Sequence, residues 1–258
     1  MKSQLTTGNL ESLTSFPPCL EEGEQISITT TTGPLIQTSW GQGNGYNDNL
    51  TSMSCSIPSN GKPPTGCVAT SIAQVMYYHQ YPQAFMTGVI PYMPSTTAVM
   101  MANIGAEVNM SYGCDGSGAY SSLTDNAFSH YGYSSANYAS YNNNTVRNDI
   151  VNGRPVILAG ADESSGWWFF NSSGHQWIAD GVKETIVYQC RLDWGPVESR
   201  GLPPDPGEGF WFEAYGILYF NMNWGWDGNY NDWYAFNTFN VNGSMYDAGL
   251  KMITNIHP

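Results

Sequence analysis

The clearest change of pattern along the chain comes at Gly66. A Pro- and Gly-rich run, Asn60-Gly61-Lys62-Pro63-Pro64-Thr65-Gly66, suits a turn and not a helix interior. Directly after it, Val68, Ile72, Val75 and Met76 recur at helical spacing, with Ala69 and Ala73 beside them as small residues that permit close packing, until Pro82 stops the pattern. This predicts a largely buried helix with Cys67 in its first turn. Further helices are expected over 96–104, ending at Gly105, over 123–131, closed by Gly132, and over 146–151, capped by Thr145 and closed by Gly153. Residues 107–112 read as extended and 117–122 as a polar loop. From Pro155 the period changes to that of strands, around 156–160, 175–182, 185–192, 210–222 and 232–237. Helices first and an antiparallel sheet afterwards predict an α+β fold.

Cysteine in a first helical turn has a chemical consequence. Unpaired N–H groups and the helix dipole favour an anion there, which predicts a lowered thiol pKa and a nucleophile fit for acyl transfer. Cysteine is also among the most buried residue types, so the reading requires a base. The chain has four histidines. His79 closes the same helix and is too far along it to reach Cys67. His130 reads as a helix end, and His257 is next to the terminus. His175 opens the alternating run Gly174-His175-Gln176-Trp177-Ile178-Ala179-Asp180-Gly181, with glycine beside it to clear space. Downstream, Asn221-Met222-Asn223-Trp224-Gly225-Trp226-Asp227-Gly228 runs from a strand into a Gly-rich turn. An amide there could orient an imidazole, and an indole could shield that bond from water.

These segments resemble the streptopain family of cysteine peptidases. Thr65-Gly66-Cys67-Val68-Ala69-Thr70, with Ala73-Gln74-Val75-Met76, Tyr78-His79 and Tyr81-Pro82, is similar to its nucleophile segment, and Gly174-His175 with Asp180-Gly181 to its histidine segment. Asn223-Trp224-Gly225-Trp226, with Gly228 and Trp233-Tyr234-Ala235-Phe236, is similar to its Asn-Trp-Gly-Trp-Gly-Gly turn and following strand. Trp40-Gly41-Gln42-Gly43-Asn44 with Tyr46-Asn47 is similar to its Gln-Gly-Asn-Pro-Tyr-Asn segment, Gly45 replacing the proline. Tyr112-Gly113, Ser117-Gly118-Ala119 and Ser121-Ser122 are similar to its Ser/Gly-rich loop. Five collinear motifs over about residues 35–240 are far more specific than a lone glycine–cysteine pair.

The resemblance implies a papain-like, two-lobed fold with the active-site cleft between a helical N-terminal half and a sheet-forming C-terminal half. On that basis residues 1–33 form an N-terminal arm or propeptide remnant and 34–258 the catalytic domain, with a helical lobe over about 50–155 and a sheet lobe over about 156–258. It implies Cys67 as nucleophile and His175 as general base and acid. Gln42 and the Cys67 N–H are the implied oxyanion donors; losing such a donor typically costs about 3 kcal/mol of barrier. Asn223, Trp224 and Trp226 are the implied groups that orient His175 or line the site, while Gly174 and Ser117-Gly118-Ala119 touch substrate. The family consists of secreted bacterial zymogens that cut extended chains, with a preference for a hydrophobic residue two before the cut. No cofactor and no metal ion is implied. The partners are a protein or peptide substrate and an inhibitory prodomain, for which residues 1–33 are far too short; either it has been removed or control is exerted otherwise.

Composition narrows the alternatives. The 258 residues are 41% hydrophobic and only 11% charged, with eight basic against 21 acidic side chains and a net charge of -13. Such a surface repels phosphates, which argues against nucleic acid and against polybasic membrane contact. No run of 18 apolar residues is present, so no membrane span is expected. No signal peptide is visible at Met1-Lys2-Ser3-Gln4; a secreted, cell-surface or periplasmic bacterial protein is the expected context. The five cysteines leave at least one unpaired, and Cys67 is the natural odd one out. Spacing leaves Cys19–Cys55, Cys114–Cys190 and five free thiols all open.

Two departures from the family stand out. The 48 positions from His175 to Asn223 hold a long stretch, 184–216, expected to extend a hairpin and to alter specificity or contact a partner. Asp227 replaces the first glycine of the Trp-Gly-Trp-Gly-Gly turn, where a carboxylate could favour an imidazolium or cap the turn. The rival function is a retained scaffold without activity, binding glycans or proteins through aromatics such as Trp167-Trp168-Phe169-Phe170 and Phe210-Trp211-Phe212, both expected in the core. A metalloenzyme lacks any His-x-x-x-His spacing, and a paired-carboxylate glycosidase would leave the Cys–His motifs unexplained.

Overall fold

The computed structural model describes residues 16–58, 60–162, 174–192 and 209–258. In chain order its elements are β1 (Gln25–Thr32), α1 (Cys67–His79), α2 (Gln83–Met86), α3 (Ala98–Glu107), α4 (Thr124–His130), β2 (Asn137–Ser140), α5 (Asn143–Val151), β3 (Val156–Ala161), β4 (Gly174–Arg191), β5 (Phe210–Asn223), β6 (Asp232–Ala235), β7 (Asn240–Val241), β8 (Ser244–Met245) and β9 (Ala248–Thr254). One antiparallel sheet has the order β2-β9-β3-β4-β5-β6, with β1 on β4; β7 and β8 form a separate hairpin. The architecture is α+β. Among the described residues no helix is long and apolar enough to cross a membrane.

The chain divides into two compact units. One is drawn from Met1–Thr31 and Lys183–Tyr219, the other from Thr32–Val182 and Phe220–Pro258. In the second unit, α1 is buried along nearly its whole length, Val68 through Met76. Its apolar positions pack with Met100, Met101 and Ile104 of α3 and Phe128 of α4, and with Ile157, Ile178 and Ile253 of the sheet. Three polar side chains share that buried surface, and each is bonded: Thr70 to the Gly66 carbonyl, Ser71 to the Val68 carbonyl, and Gln74 to Thr38 and Asn223. Pairing makes such burial tolerable. The helix ends at Gln80, which takes a left-handed conformation two residues before Pro82 and caps the Met76 and Tyr77 carbonyls. Cys55–Cys114 is a disulfide in this unit.

In the first unit, β1 pairs with β4, with Thr29 and Thr185 bonding side by side, and just before β1 Gly23 N–H donates to the Cys190 carbonyl while Cys190 N–H donates to the Glu24 carbonyl. A Cys19–Cys190 disulfide closes this pairing. Part of the N-terminal arm is therefore built into a sheet. Phe16 packs on Tyr188 and Trp211.

Several expectations need correction. The disulfides are Cys19–Cys190 and Cys55–Cys114, neither of the two pairings weighed from spacing, while Cys67 is free as anticipated. Helix α3 runs through Gly105 to Glu107; that glycine is there because the Tyr112 phenol packs where a Cβ would sit, so 107–112 is extended only at its end. The cap of α5 is Asn142, whose side chain accepts from Thr145 N–H. The 175–182 and 185–192 strands are one strand, β4, and β1, β2 and β9 carried no recognised alternation. Phe210 and Phe212 are exposed and not in the core. The Trp167–Phe170 stretch and residues 193–208 of the long insert lie outside the described residues; the insert's flanks are the ends of β4 and β5.

Asp180, on β4, is buried. One carboxylate oxygen accepts from Ile36 N–H at 2.9 Å, and the other has no partner among the described residues. Burial pushes its pKa up to about 7, against partial offset from the Ile36, Asp180 and Leu35 N–H groups. A folded-state pKa raised above the unfolded one stabilises the fold at low pH, and that contribution is lost as pH rises through the folded value. Asp180→Asn, which keeps the acceptor and cannot ionise, should gain stability relative to wild type as pH rises from about 4 to about 7, and should plateau above. Thermal unfolding midpoints across that range check this; a constant difference would refute it.

Candidate active site

Cys67 is the first residue of α1. Gly66 before it has φ 87°, and a Cβ there would strike Met110 and come within 3.0 Å of the Ser117 carbonyl. The turn therefore needs glycine twice over, for its dihedral and for its neighbours. Ser117 is thus next to the cysteine turn. Gly118 forms an isolated bridge with Ser111, and Ala119 packs against the core.

His175 opens the buried part of β4. Alternation puts His175 and Trp177 on one face, with rings 6.1 Å apart and stacked, and Gln176 on the other. Gln176 reaches to α1 and α4: its amide nitrogen donates to Ser71 Oγ at 2.8 Å, and its amide oxygen accepts from Thr124 at 3.2 Å. This clamps the strand to the helix one residue from the histidine. The Gln176 backbone N–H acts on the Cys67 thiol. Tyr246 is in ring contact with His175 and under the electrostatic influence of Cys67. Cys67 and His175 thus share Gln176 and Tyr246 as neighbours. The other histidines have other neighbours: His79 packs on Tyr78 and Tyr133, and His130 lies 3.6 Å from Glu107.

The imidazole is oriented by backbone. His175 Nε2 lies 2.8 Å from the Trp224 carbonyl oxygen. A carbonyl only accepts, so Nε2 carries the proton and Nδ1 of the neutral ring keeps its lone pair. Trp226 packs on the imidazole at 4.6 Å and Trp224 at 6.0 Å. Asn223, one of the groups weighed for orienting His175, has a different task. Its amide nitrogen donates to the Thr38 carbonyl at 2.8 Å and to Gln74, while its oxygen accepts from Gly225 N–H and Gln74. Trp224 N–H donates to Asn231, which closes the turn.

Gln42 lies in the same neighbourhood. Its carbonyl accepts from Thr65 N–H at 2.8 Å, and its side-chain amide approaches the Gly225 carbonyl at 3.5 Å, a weak contact that leaves its donors largely uncommitted. Asp227 does not face the imidazole. Its carboxylate rests where a Cβ of Gly41 would be, beside Tyr46, and burial raises its pKa. Gly174 is exposed, and a Cβ there would meet nothing closer than 3.6 Å, so it is not the crowded position. The crowded glycine is Gly160, paired across from His175.

The electrostatics differ from the expectation of a lowered thiol pKa. Burial pushes the Cys67 thiol up, and the smaller downward pulls of the Gln176, Val68 and Cys67 N–H groups do not reverse it. Burial also lowers His175 to about 4, partly offset by the Trp224 carbonyl. Both shifts favour the thiol and the neutral imidazole. Sequence reasoning missed Tyr246, Gly160 and Gln176. Only Gln176 left a signal, as the polar residue on the opposite face of an alternating strand. Among the described residues no group of three or more His, Cys, Asp or Glu side chains is placed to hold a metal ion.

Comparison with known proteins gives this site a context. The model of the Peptidase C10 family matches residues 40–97 and 92–234. The thiol protease/hemagglutinin PrtT of Porphyromonas gingivalis is 24% identical over 225 residues, 70% of this chain; the chain spans about a quarter (24%) of that protein's length. Active wild-type interpain A cysteine protease of Prevotella intermedia superposes with a TM-score of 0.63 at 21% identity, covering 88% of this chain and 96% of that one. A prointerpain A fragment from the same organism gives 0.58 at 21% identity over 88% and 73%. The fold is that of these papain-like cysteine proteases, and the chain belongs to the peptidase C10 family of cysteine peptidases.

Proposed function

We propose that this chain is a cysteine endopeptidase that hydrolyses peptide bonds through a Cys67–His175 dyad. The observation that carries the reading is the free cysteine at the start of α1, acted on by the Gln176 N–H, with the preceding strand residue His175 tied through Nε2 to the Trp224 carbonyl so that Nδ1 is left as a base. The Cys67 proton passes to His175 as the sulfur attacks the scissile carbonyl carbon. The carbonyl oxygen becomes an oxyanion, held by the Cys67 N–H and the Gln42 amide. His175 then gives the proton to the leaving amine, and the C–N bond breaks to leave a thioester on Cys67. Water attacks the thioester with His175 again taking the proton, which releases the carboxylic acid and restores the thiol. Trp224 and Trp226 keep the imidazole in place and limit water around it. Gly174 and Ser117-Gly118-Ala119 border the cysteine turn and the histidine, where an extended substrate would lie. The two disulfides suit export into an oxidising compartment. The long β4–β5 hairpin is a candidate for altered specificity.

Labelling with E-64, read by intact mass, should add one adduct to wild type and none to Cys67→Ala, with casein hydrolysis lost in Cys67→Ala and His175→Ala. A folded wild type with neither adduct nor hydrolysis would sink the reading and favour a scaffold that binds through exposed aromatics such as Phe210 and Phe212. Gln42→Ala should lower kcat by about 100-fold with KM little changed, as removal of an oxyanion donor does. Because the base must be neutral and its pKa is depressed to about 4, the acid limb of kcat/KM should fall near that value and well below the usual histidine range. A limb near the unperturbed histidine value would contradict the buried environment of His175.

A further inference from the structure

Tyr246 lies between β8 and β9, more than seventy positions from His175 in sequence and about 180 from Cys67. Its backbone packs closely against the residue paired with His175. The Tyr246 carbonyl occupies the space where a Cβ of Gly160 would stand, and Gly160 is the cross-strand partner of His175. Tyr246 N–H donates to the Phe239 carbonyl at 3.0 Å, which holds the segment in register. From this anchor the phenol ring reaches 5.3 Å from the imidazole at an interplanar angle of 38°, and 6.1 and 6.2 Å from Trp177 and Trp224. The phenol is also within the electrostatic influence of Cys67, with Ser244 as a hydrogen-bond partner.

We propose that Tyr246 is a positioning residue for the reaction, its ring holding the His175 imidazole and screening the Cys67–His175 pair from water. The role rests on the peptidase reading above. The Trp224 carbonyl fixes one ring nitrogen, and Trp224 and Trp226 pack on the ring at 6.0 and 4.6 Å, but these restraints all come from one turn. Proton transfer to Nδ1 requires the plane of the ring to stay aligned with the sulfur, and small misplacements of reacting groups are costly. Tyr246, from a separate segment, adds an independent aromatic contact that narrows the ring's freedom further. The Tyr246 ring contributes to the desolvation that favours the neutral thiol.

The test compares Tyr246→Phe, Tyr246→Leu and Tyr246→Ala with wild type in two measurements. One is the pH dependence of Cys67 alkylation by iodoacetamide, followed by intact mass. The other is kcat and KM on a peptide substrate. Tyr246→Ala should lower kcat by about 10-fold or more with KM within about 3-fold, and should move the alkylation limb down by at least about 0.5 pH unit, toward an ordinary thiol. Tyr246→Phe keeps the ring and should stay within about 3-fold of wild type in kcat, with its alkylation limb unmoved. If Tyr246→Ala does not fold, Tyr246→Leu, which fills the space without a ring, is held to the same expectations. A wild-type alkylation profile and kcat in the folded Ala or Leu variant would overturn the inference. So would a Phe variant as impaired as Ala or Leu. The alkylation comparison needs no peptidase activity. An inactive wild type would therefore sink the peptidase reading, while the shift of the limb would still decide the role of Tyr246.

Discussion

The site depends on a buried pair of amides. Gln74, in the middle of α1, and Asn223, at the end of β5, face each other with nitrogen to oxygen in both directions. Gln74 also accepts from the Thr38 hydroxyl and the Trp40 N–H, and Asn223 donates to the Thr38 carbonyl and accepts from Gly225 N–H. Three stretches of chain meet at this node: residues 38–42, α1, and the turn from 223. Each delivers one component, namely Gln42, Cys67 and the carbonyl that orients His175. Both amides are fully inside, where an unpaired polar group costs far more than it would in water. Displacing any one stretch leaves buried partners unsatisfied, so the three are held in a common register.

A second clamp works on the other side of the histidine. Gln176 bridges Ser71 on α1 and Thr124 on α4, and it neighbours His175 on the strand. The arrangement exploits strand alternation: His175 faces the aromatic cluster, and the next residue, on the opposite face, secures the strand to the helices. Burial of the thiol and imidazole follows from the same tight packing. Desolvation disfavours separated charge there, so it favours a thiol beside a neutral imidazole over a standing thiolate.

Much of this was legible in the sequence where local chemistry and period agree. The switch from the Pro/Gly run to helical spacing at Cys67 marked the nucleophile helix, because Gly66 must take a left-handed φ and the residues after it must be buried. The run from Gly174 marked the histidine strand, and Asn223-Trp224-Gly225-Trp226 the turn. What local pattern could not carry was anything decided by a distant neighbour. Gly105 reads as a helix stop, yet it is a seat for the Tyr112 phenol. Cys190 finds Cys19 only because β1 aligns with the far part of β4, a register no spacing encodes. Asn223 reads as an orienting amide; its actual partners lie on α1 and near Thr38. The thiol's environment was misjudged for the same reason, since a helix terminus is a local feature and burial is not.

The Cys19–Cys190 bond bears on how the molecule ages in proteolytic surroundings. Every peptide bond from residue 19 to residue 190 lies inside the loop that this cross-link closes, and those from 55 to 114 lie inside a second loop as well. A single scission anywhere in that span, by the chain's own kind or another, yields two polypeptides that remain one covalent body. Cys67 and His175 both fall within the protected span. A nicked molecule can therefore keep Cys67 and His175 tethered, and damage of this kind would be visible only after reduction.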